Sequence, residues 1–325
     1  MYNNYLAIGL PDYDSLGRLA GIVKMYERSP DGWKLIATIA PSDPTDAFQF
    51  GSAVKLSANY LLVACGEYAR KAYLFRKPAS GWQQAETELT TFSVDDAPLF
   101  GTPYQNQNSI AISADEQTIA ISDIFYPYPV QGENRSGAVF VYHKQPGDEW
   151  SGDIDPVRIL SPEVDVIDFG RTGVFILGDR VITGSPFAPT ANGRLYVYRD
   201  PSGEFQDLEL EAKLSAFGPE ETAFLGFSDA AVTPDGIFTP ITIEFNTPDA
   251  HSVMAFYEAP ASGDWDDTDY TCTFPYNPDN AETDFSVSMA TNGTDIIISS
   301  REYEGDLKGY TTLFKKGASG WCDPI

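Results

Sequence analysis

Two ladders of short motifs run along this chain in step, and they restrict its fold more than any other feature. The first is a polar turn ending in an aromatic: Asp31-Gly32-Trp33, Ser80-Gly81-Trp82, Asp148-Glu149-Trp150, Gly203-Glu204-Phe205, Gly263-Asp264-Trp265 and Ser319-Gly320-Trp321. These aromatics lie 49, 68, 55, 60 and 56 residues apart. The second is an apolar residue followed by a small one, at Phe50-Gly51, Phe100-Gly101, Phe169-Gly170, Leu225-Gly226 and Phe285-Ser286, with steps of 50, 69, 56 and 60. The steps lengthen and shorten together, so one unit of variable length recurs about six times.

Each unit reads as four short strands. In the clearest one, Gly51 to Ser57 is a small-residue strand and Tyr60 to Ala64 a continuous apolar run. Lys71 to Phe75 is an aromatic strand, and Trp82 to Phe92 a polar outer one. Runs apolar on both faces belong to strands packed between two sheets. Helical periodicity is nearly absent. The spacing predicts an all-β fold, a β-propeller of about six four-stranded blades, with seven blades as the alternative. The chain then forms a single domain, 1–325, in units 1–49, 50–99, 100–168, 169–224, 225–284 and 285–325. The terminal blades are incomplete: the first begins at its second strand, Asn4 to Gly9, and the last runs through Gly309 to Lys315 and Trp321 with no room for an outer strand. A fragment, a strand-donating partner and plainly abbreviated blades each account for such a seam, and an uncovered sheet edge invites association.

The runs Phe50-Gly51-Ser52-Ala53-Val54, Ala72-Tyr73-Leu74-Phe75 and Gly81-Trp82 resemble an FG-GAP repeat, the unit of integrin-alpha-like propellers. The resemblance covers essentially the whole chain, in degenerate form: Gly-Ala-Pro survives only as Gly9-Leu10-Pro11 and Gly184-Ser185-Pro186. It implies calcium in the hairpin between first and second strands. Here those hairpins, such as Ser113-Ala114-Asp115-Glu116-Gln117 and Thr233-Pro234-Asp235-Gly236, offer one or two carboxylates each. Calcium takes six to eight oxygens, so the expectation is no metal site and no cofactor.

Composition narrows the partners. With 21 basic and 47 acidic residues the formal net charge is −26. Nucleic acid and anionic membrane surfaces need a basic footprint, and no run of 18 apolar residues supports membrane insertion. No signal peptide is visible at the start. Cys65, Cys272 and Cys322 read as buried thiols, with a Cys272–Cys322 bridge as the alternative.

Catalytic signatures are missing. His143 follows a strand where other units carry Arg28 and Lys77, and reads as a surface residue; His251 sits beside Asp249 without a recognisable triad. A sialidase-like glycosidase needs an acid pair and an arginine cluster that the sequence does not supply. The expectation is therefore not an enzyme but a non-catalytic binding or attachment module, extracellular or on a virion surface. Its partner would be a protein, or a glycan if the module is a lectin, with a homo-oligomer or strand donor at the seam. Function tends to sit on variable loops. The longest, Asp123 to Ser136, offers Phe125, Tyr126, Tyr128 and Arg135; the next offers Asp12, Tyr13 and Arg18.

Overall fold

The structure is a computed structural model. It describes the chain apart from residues 15–16, 45–46, 67–68, 83–86, 95–96, 98–99, 103–107, 127–135, 164–165, 187–192, 216–222, 226–229, 244–250, 262, 268, 275–286, 302–308 and 323–325. Six antiparallel sheets, one per repeat unit, form a six-bladed β-propeller, and no helix occurs among the described residues.

Blade 1 holds β1 (Tyr5–Leu10), β2 (Ile22–Ser29) and β3 (Gly32–Ile39). Blade 2 holds β4 (Ala53–Leu56), β5 (Tyr60–Ala64), β6 (Lys71–Arg76) and β7 (Thr87–Ser93). Blade 3 holds β8 (Ile110–Ile112), β9 (Thr118–Asp123), β10 (Ala138–His143) and β11 (Val157–Leu160). Blade 4 holds β12 (Val174–Leu177), β13 (Arg180–Ser185), β14 (Arg194–Arg199) and β15 (Glu209–Leu214). In blade 5 the inner strand is split into β16 (Ala223–Leu225) and β17 (Ala231–Thr233), both paired with β18 (Gly236–Ile243), before β19 (His251–Glu258) and β20 (Cys272–Phe274). The split falls opposite Thr239 and Pro240 of β18. Residues 226–229, between the two pieces, lie outside the described residues. Blade 6 holds β21 (Val287–Thr291), β22 (Asp295–Arg301) and β23 (Gly309–Lys315). Among the described residues the first and last sheets thus have three strands, as their sequence predicts.

The two ladders have one job, the joint between neighbouring blades. Trp82 is buried with Val23 and Met25 of blade 1 and Tyr73 and Phe75 of blade 2. Trp150 is buried with Leu62 and Leu74 of blade 2 and Phe140 of blade 3. Phe205, Trp265 and Trp321 repeat this between blades 3 and 4, 4 and 5, and 5 and 6. Phe50, Phe100, Phe169 and Leu225 are fully buried at the same joints. Burying one large aromatic contributes roughly 2–3 kcal/mol from area alone.

Close backbone approach explains the glycines that precede the third strands. A Cβ on Gly21, Gly137 or Gly193 would lie 2.1, 2.1 or 1.6 Å from the carbonyl oxygen of Phe50, Phe169 or Leu225. All three have positive φ. Arg70 fills the same place in blade 2 at φ 53°, a conformation that costs a non-glycine residue about 1–2 kcal/mol.

Charged latches add to the apolar joints. Asp43, after β3, accepts bonds from Tyr73 Oη (2.6 Å) and Lys71 Nζ (2.8 Å) of blade 2. Glu163, after β11, accepts from Tyr196 Oη (2.9 Å) and Lys213 Nζ (2.9 Å) of blade 4 and pairs with Arg194. Cys272 and Cys322 are bridged, which corrects the reading of them as thiols and ties the outer strand of blade 5 to the segment after Trp321. Cys65 is a buried free thiol; burial pushes its pKa up.

Candidate functional site

The cleft that combines room with chemistry lies between blades 3 and 4, beside the turns that link third and fourth strands. It encloses about 440 Å³, within the usual range for small-molecule sites. Strand β10 ends at His143, and the connection to β11 is long. Trp150 folds that connection inward: it is buried, and its Nε1 donates to the Glu116 carbonyl at 3.2 Å. Lys144, Asp148, Glu149 and Asp155 are thereby left around the mouth, over a floor that includes Val141, Ile154 and Val157.

Blade 4 supplies the opposite wall, and Asp200 shapes it. One carboxylate oxygen accepts from Ser202 N (2.8 Å) and Ser202 Oγ (2.6 Å). The other accepts from Gln206 N (2.9 Å) and Asp207 N (3.2 Å). Burial opposes the Asp200 charge, but these bonds outweigh it and hold the carboxyl below its ordinary range. Four bonds to one side chain fix the turn, so Glu204, Phe205 and Gln206 sit rigidly against the cleft.

His143 joins the two walls. Its ring stacks on Phe205, centroids 5.3 Å apart and planes 27° from parallel. Its Nδ1 lies 2.9 Å from Oγ1 of the buried Thr118. Burial lowers its pKa most; Asp115, Glu204 and Asp200 pull the other way and Lys144 adds to the lowering. The net result is a neutral imidazole at pH 7. When Nδ1–H donates to Thr118, Nε2 carries a lone pair available to a proton. The reading of His143 as a plain surface residue is therefore corrected. Its partner Phe205 belongs to the aromatic ladder, but nothing in either local sequence shows that the two rings meet.

The loop residues singled out in the sequence are placed differently. Phe125 is exposed, on a turn where Asp123 accepts from its N–H at 2.9 Å. Tyr126 is buried, edge-on to Phe140 at 5.2 Å, with its hydroxyl bonded to Arg158. Its apolar ring completes the core, so it is not the exposed contact residue expected. Tyr128 and Arg135 lie outside the described residues. Asp12, Tyr13 and Arg18 are exposed on blade 1, and Asp12 accepts from Gln49 Nε2 at 3.3 Å. Blade 2 stands between this loop and Phe125, so the structure does not gather the described ones among these residues into one site.

Among the described residues, the hairpin carboxylates have protein partners. Asp115 accepts from Gln117 N, Glu116 from Asn59, and Asp235 from Lys316 and Trp321. Asp179 pairs with Arg180 and Arg199.

No family model and no curated protein sequence matches the chain. Solved structures do. A provisionally assigned 6-phosphogluconolactonase of Bacteroides uniformis aligns over 99% of this chain and 80% of its own, at 12% identity and a TM-score of 0.56. The periplasmic gluconolactonase PpgL of Pseudomonas aeruginosa aligns over 99% and 81%, at 15% identity and a TM-score of 0.52. Sqt1 of Chaetomium thermophilum aligns over 96% and 66%, at 13% identity and a TM-score of 0.52. Identities this low speak for the fold alone. They nevertheless overturn the expectation of a non-catalytic module. That expectation equated a propeller lacking a catalytic signature with a binding platform, yet propellers of this fold are described as lactonases.

Proposed function

We propose that the chain is a hydrolase-type propeller of the lactonase kind, working in the cleft between blades 3 and 4. The observation that carries this reading is the placement of His143, stacked on Phe205 and within hydrogen-bond reach of Thr118 where the two walls meet, in a cleft with Lys144 at its mouth. The lactonase descriptions of two structural neighbours support it.

The reaction needs little machinery. His143 Nε2 takes a proton from a water molecule as its oxygen bonds to the lactone carbonyl carbon. The Lys144 ammonium stabilises the oxyanion that forms. The ring C–O bond then breaks, and the imidazolium returns the proton to the leaving alkoxide. The product is an open hydroxy acid, which ionises at neutral pH. The carboxylates at the mouth repel it, which favours release. The same carboxylates, with Gln145 and Gln206, can accept bonds from the hydroxyls of a neutral sugar lactone. A Cys272–Cys322 bridge fits a chain that folds in an oxidising compartment. We also propose that the repeats are of the FG-GAP kind, because Phe50, Phe100 and Phe169 fill one buried place in successive joints.

The test is acid release from glucono-δ-lactone in a pH-stat at pH 6, corrected for spontaneous opening. The expected result is turnover by the wild-type chain and a loss of about 100-fold or more in His143→Ala. Because the His143 pKa is lowered from its ordinary 6.5, the rate should hold as pH falls to that value and decline only below it. No rate above the spontaneous one, or full activity in His143→Ala, would refute the assignment.

A further inference from the structure

We propose that the outer face of blade 1 is a docking surface for a blade-like β-sheet of another polypeptide, apolar on its facing side and carrying a carboxylate just beyond its outermost strand. Five of the six ladder aromatics are buried against the preceding sheet, whereas Trp33 is 42% exposed. Leu35, two positions along the same strand, and Ile8, on β1 of the same sheet, are 46% and 40% exposed.

Register shows that these residues form one surface. Val23 and Met25 of β2 pack on blade 2, so the alternating Lys24, Tyr26 and Arg28 face outward. Across the sheet Tyr26 pairs with Leu6 and Leu35, Lys24 with Ile8 and Thr38, and Arg28 with Trp33. Apart from Thr38 these rows hold apolar residues and two bases, with no acid, in a chain of net charge −26. The apolar face of blade 6, through Ile297 and Leu313, is also 43% and 52% exposed.

What covers this face follows from the joints that are closed. Lys24 is third in its strand, the place of Tyr73 and Tyr196 in blades 2 and 4. At both of those joints the preceding blade sends a carboxylate, Asp43 or Glu163, onto that tyrosine and a neighbouring cation. A sheet of the same build would bring its carboxylate to Lys24 and seat Trp33. The occupant is therefore a separate sheet. A second copy of this chain would bring its own large negative charge and no spare four-stranded blade.

A defined probe is the chain's own second blade. Residues 50–115, which include the next inner strand and hairpin, are fused directly ahead of residue 3. Trp33 emission is taken as the difference between each chain and its Trp33→Phe variant, with acrylamide as quencher, alongside the molar mass in solution. The expected result is a monomeric wild-type chain with freely quenched Trp33. In the fusion the quenching constant should fall several-fold and the emission shift to the blue, and Lys24→Asp should reverse part of that protection. A wild-type monomer with shielded Trp33 would mean that blade 6 closes the ring and would overturn the proposal. A dimer that Leu35→Asp dissociates would overturn it in favour of a second copy. Unchanged quenching in a folded fusion would also refute it. If the fusion does not fold, the wild-type mass and quenching decide: a monomer with open Trp33 sustains the free face, and either other result removes it.

Discussion

The joint between blades 2 and 3 and the outer face of blade 1 carry the same turn signal, and only one of them is closed. Trp150 meets Phe92 edge-on, centroids 5.8 Å apart, in a core shared by two sheets. Trp33 occupies the matching place in its own unit and faces outward. A repeat motif therefore encodes a knob but not its burial. Burial depends on whether a neighbouring sheet supplies the slot, as expected when each repeat buries its apolar face only against its neighbours.

Substitutions can break or sharpen that contrast. The largest effect is expected for Trp150→Ala, which leaves a cavity and an unpaired Glu116 carbonyl; about 3–5 kcal/mol should be lost in urea unfolding. A loss below about 1 kcal/mol would show that the joint is not closed. Next comes Cys272→Ser with Cys322→Ser. The bridge spans 50 residues, and its removal should cost about 2–4 kcal/mol. Hydrogen exchange should then rise first in β23 and around Trp321, while blades 2 to 4 keep their protection; uniform loss would contradict an end-blade clamp.

Asp43→Asn tests the polar half of a closed joint. Part burial works against the Asp43 charge, but the bonds from Lys71 and Tyr73 outweigh it and keep the pKa below the ordinary range. A carboxyl lowered in the folded state adds stability above its unfolded pKa and loses it as pH falls through the folded value. The latch should thus weaken below about pH 4. The carboxylate is partly exposed, so Asp43→Asn should cost only about 0.5–1 kcal/mol at pH 7 and nothing at pH 2. Acid-titrated thermal melts check this, and an equal cost at both pH values would exclude the ionic role. Smallest is Trp33→Ala, expected within about 0.5 kcal/mol of wild type, since little packing is lost at an open surface. A cost near that of Trp150→Ala would mean the face is covered after all.

How much was legible follows the range of each signal. Tyr60–Ala64 could be read as a strand to the residue, because five consecutive apolar side chains between turns leave little alternative. The two-piece inner strand of blade 5 could not, since each piece is set by its pairing with β18, which follows both in the chain. The cleft was least legible. His143 and Phe205 are 62 residues apart in the sequence, and only the stacking of blade 4 on blade 3 brings their rings together. Tyr126 misled in the opposite sense: an aromatic in a proline-rich loop resembles a contact residue, yet Phe140 and Arg158 hold it inside.

The sequence by itself determined the repeat, the all-β class, a propeller of about six blades and the two short end sheets, because strand periodicity and turn chemistry are local and recur with every unit. Only the tertiary structure decided the Cys272–Cys322 pairing, the His143 cleft, the Asp43 and Glu163 latches and the exposure of Trp33. Each of these depends on which sheet lies against which, and that is settled by packing between residues 30 to more than 60 positions apart, over which no local pattern in the chain extends.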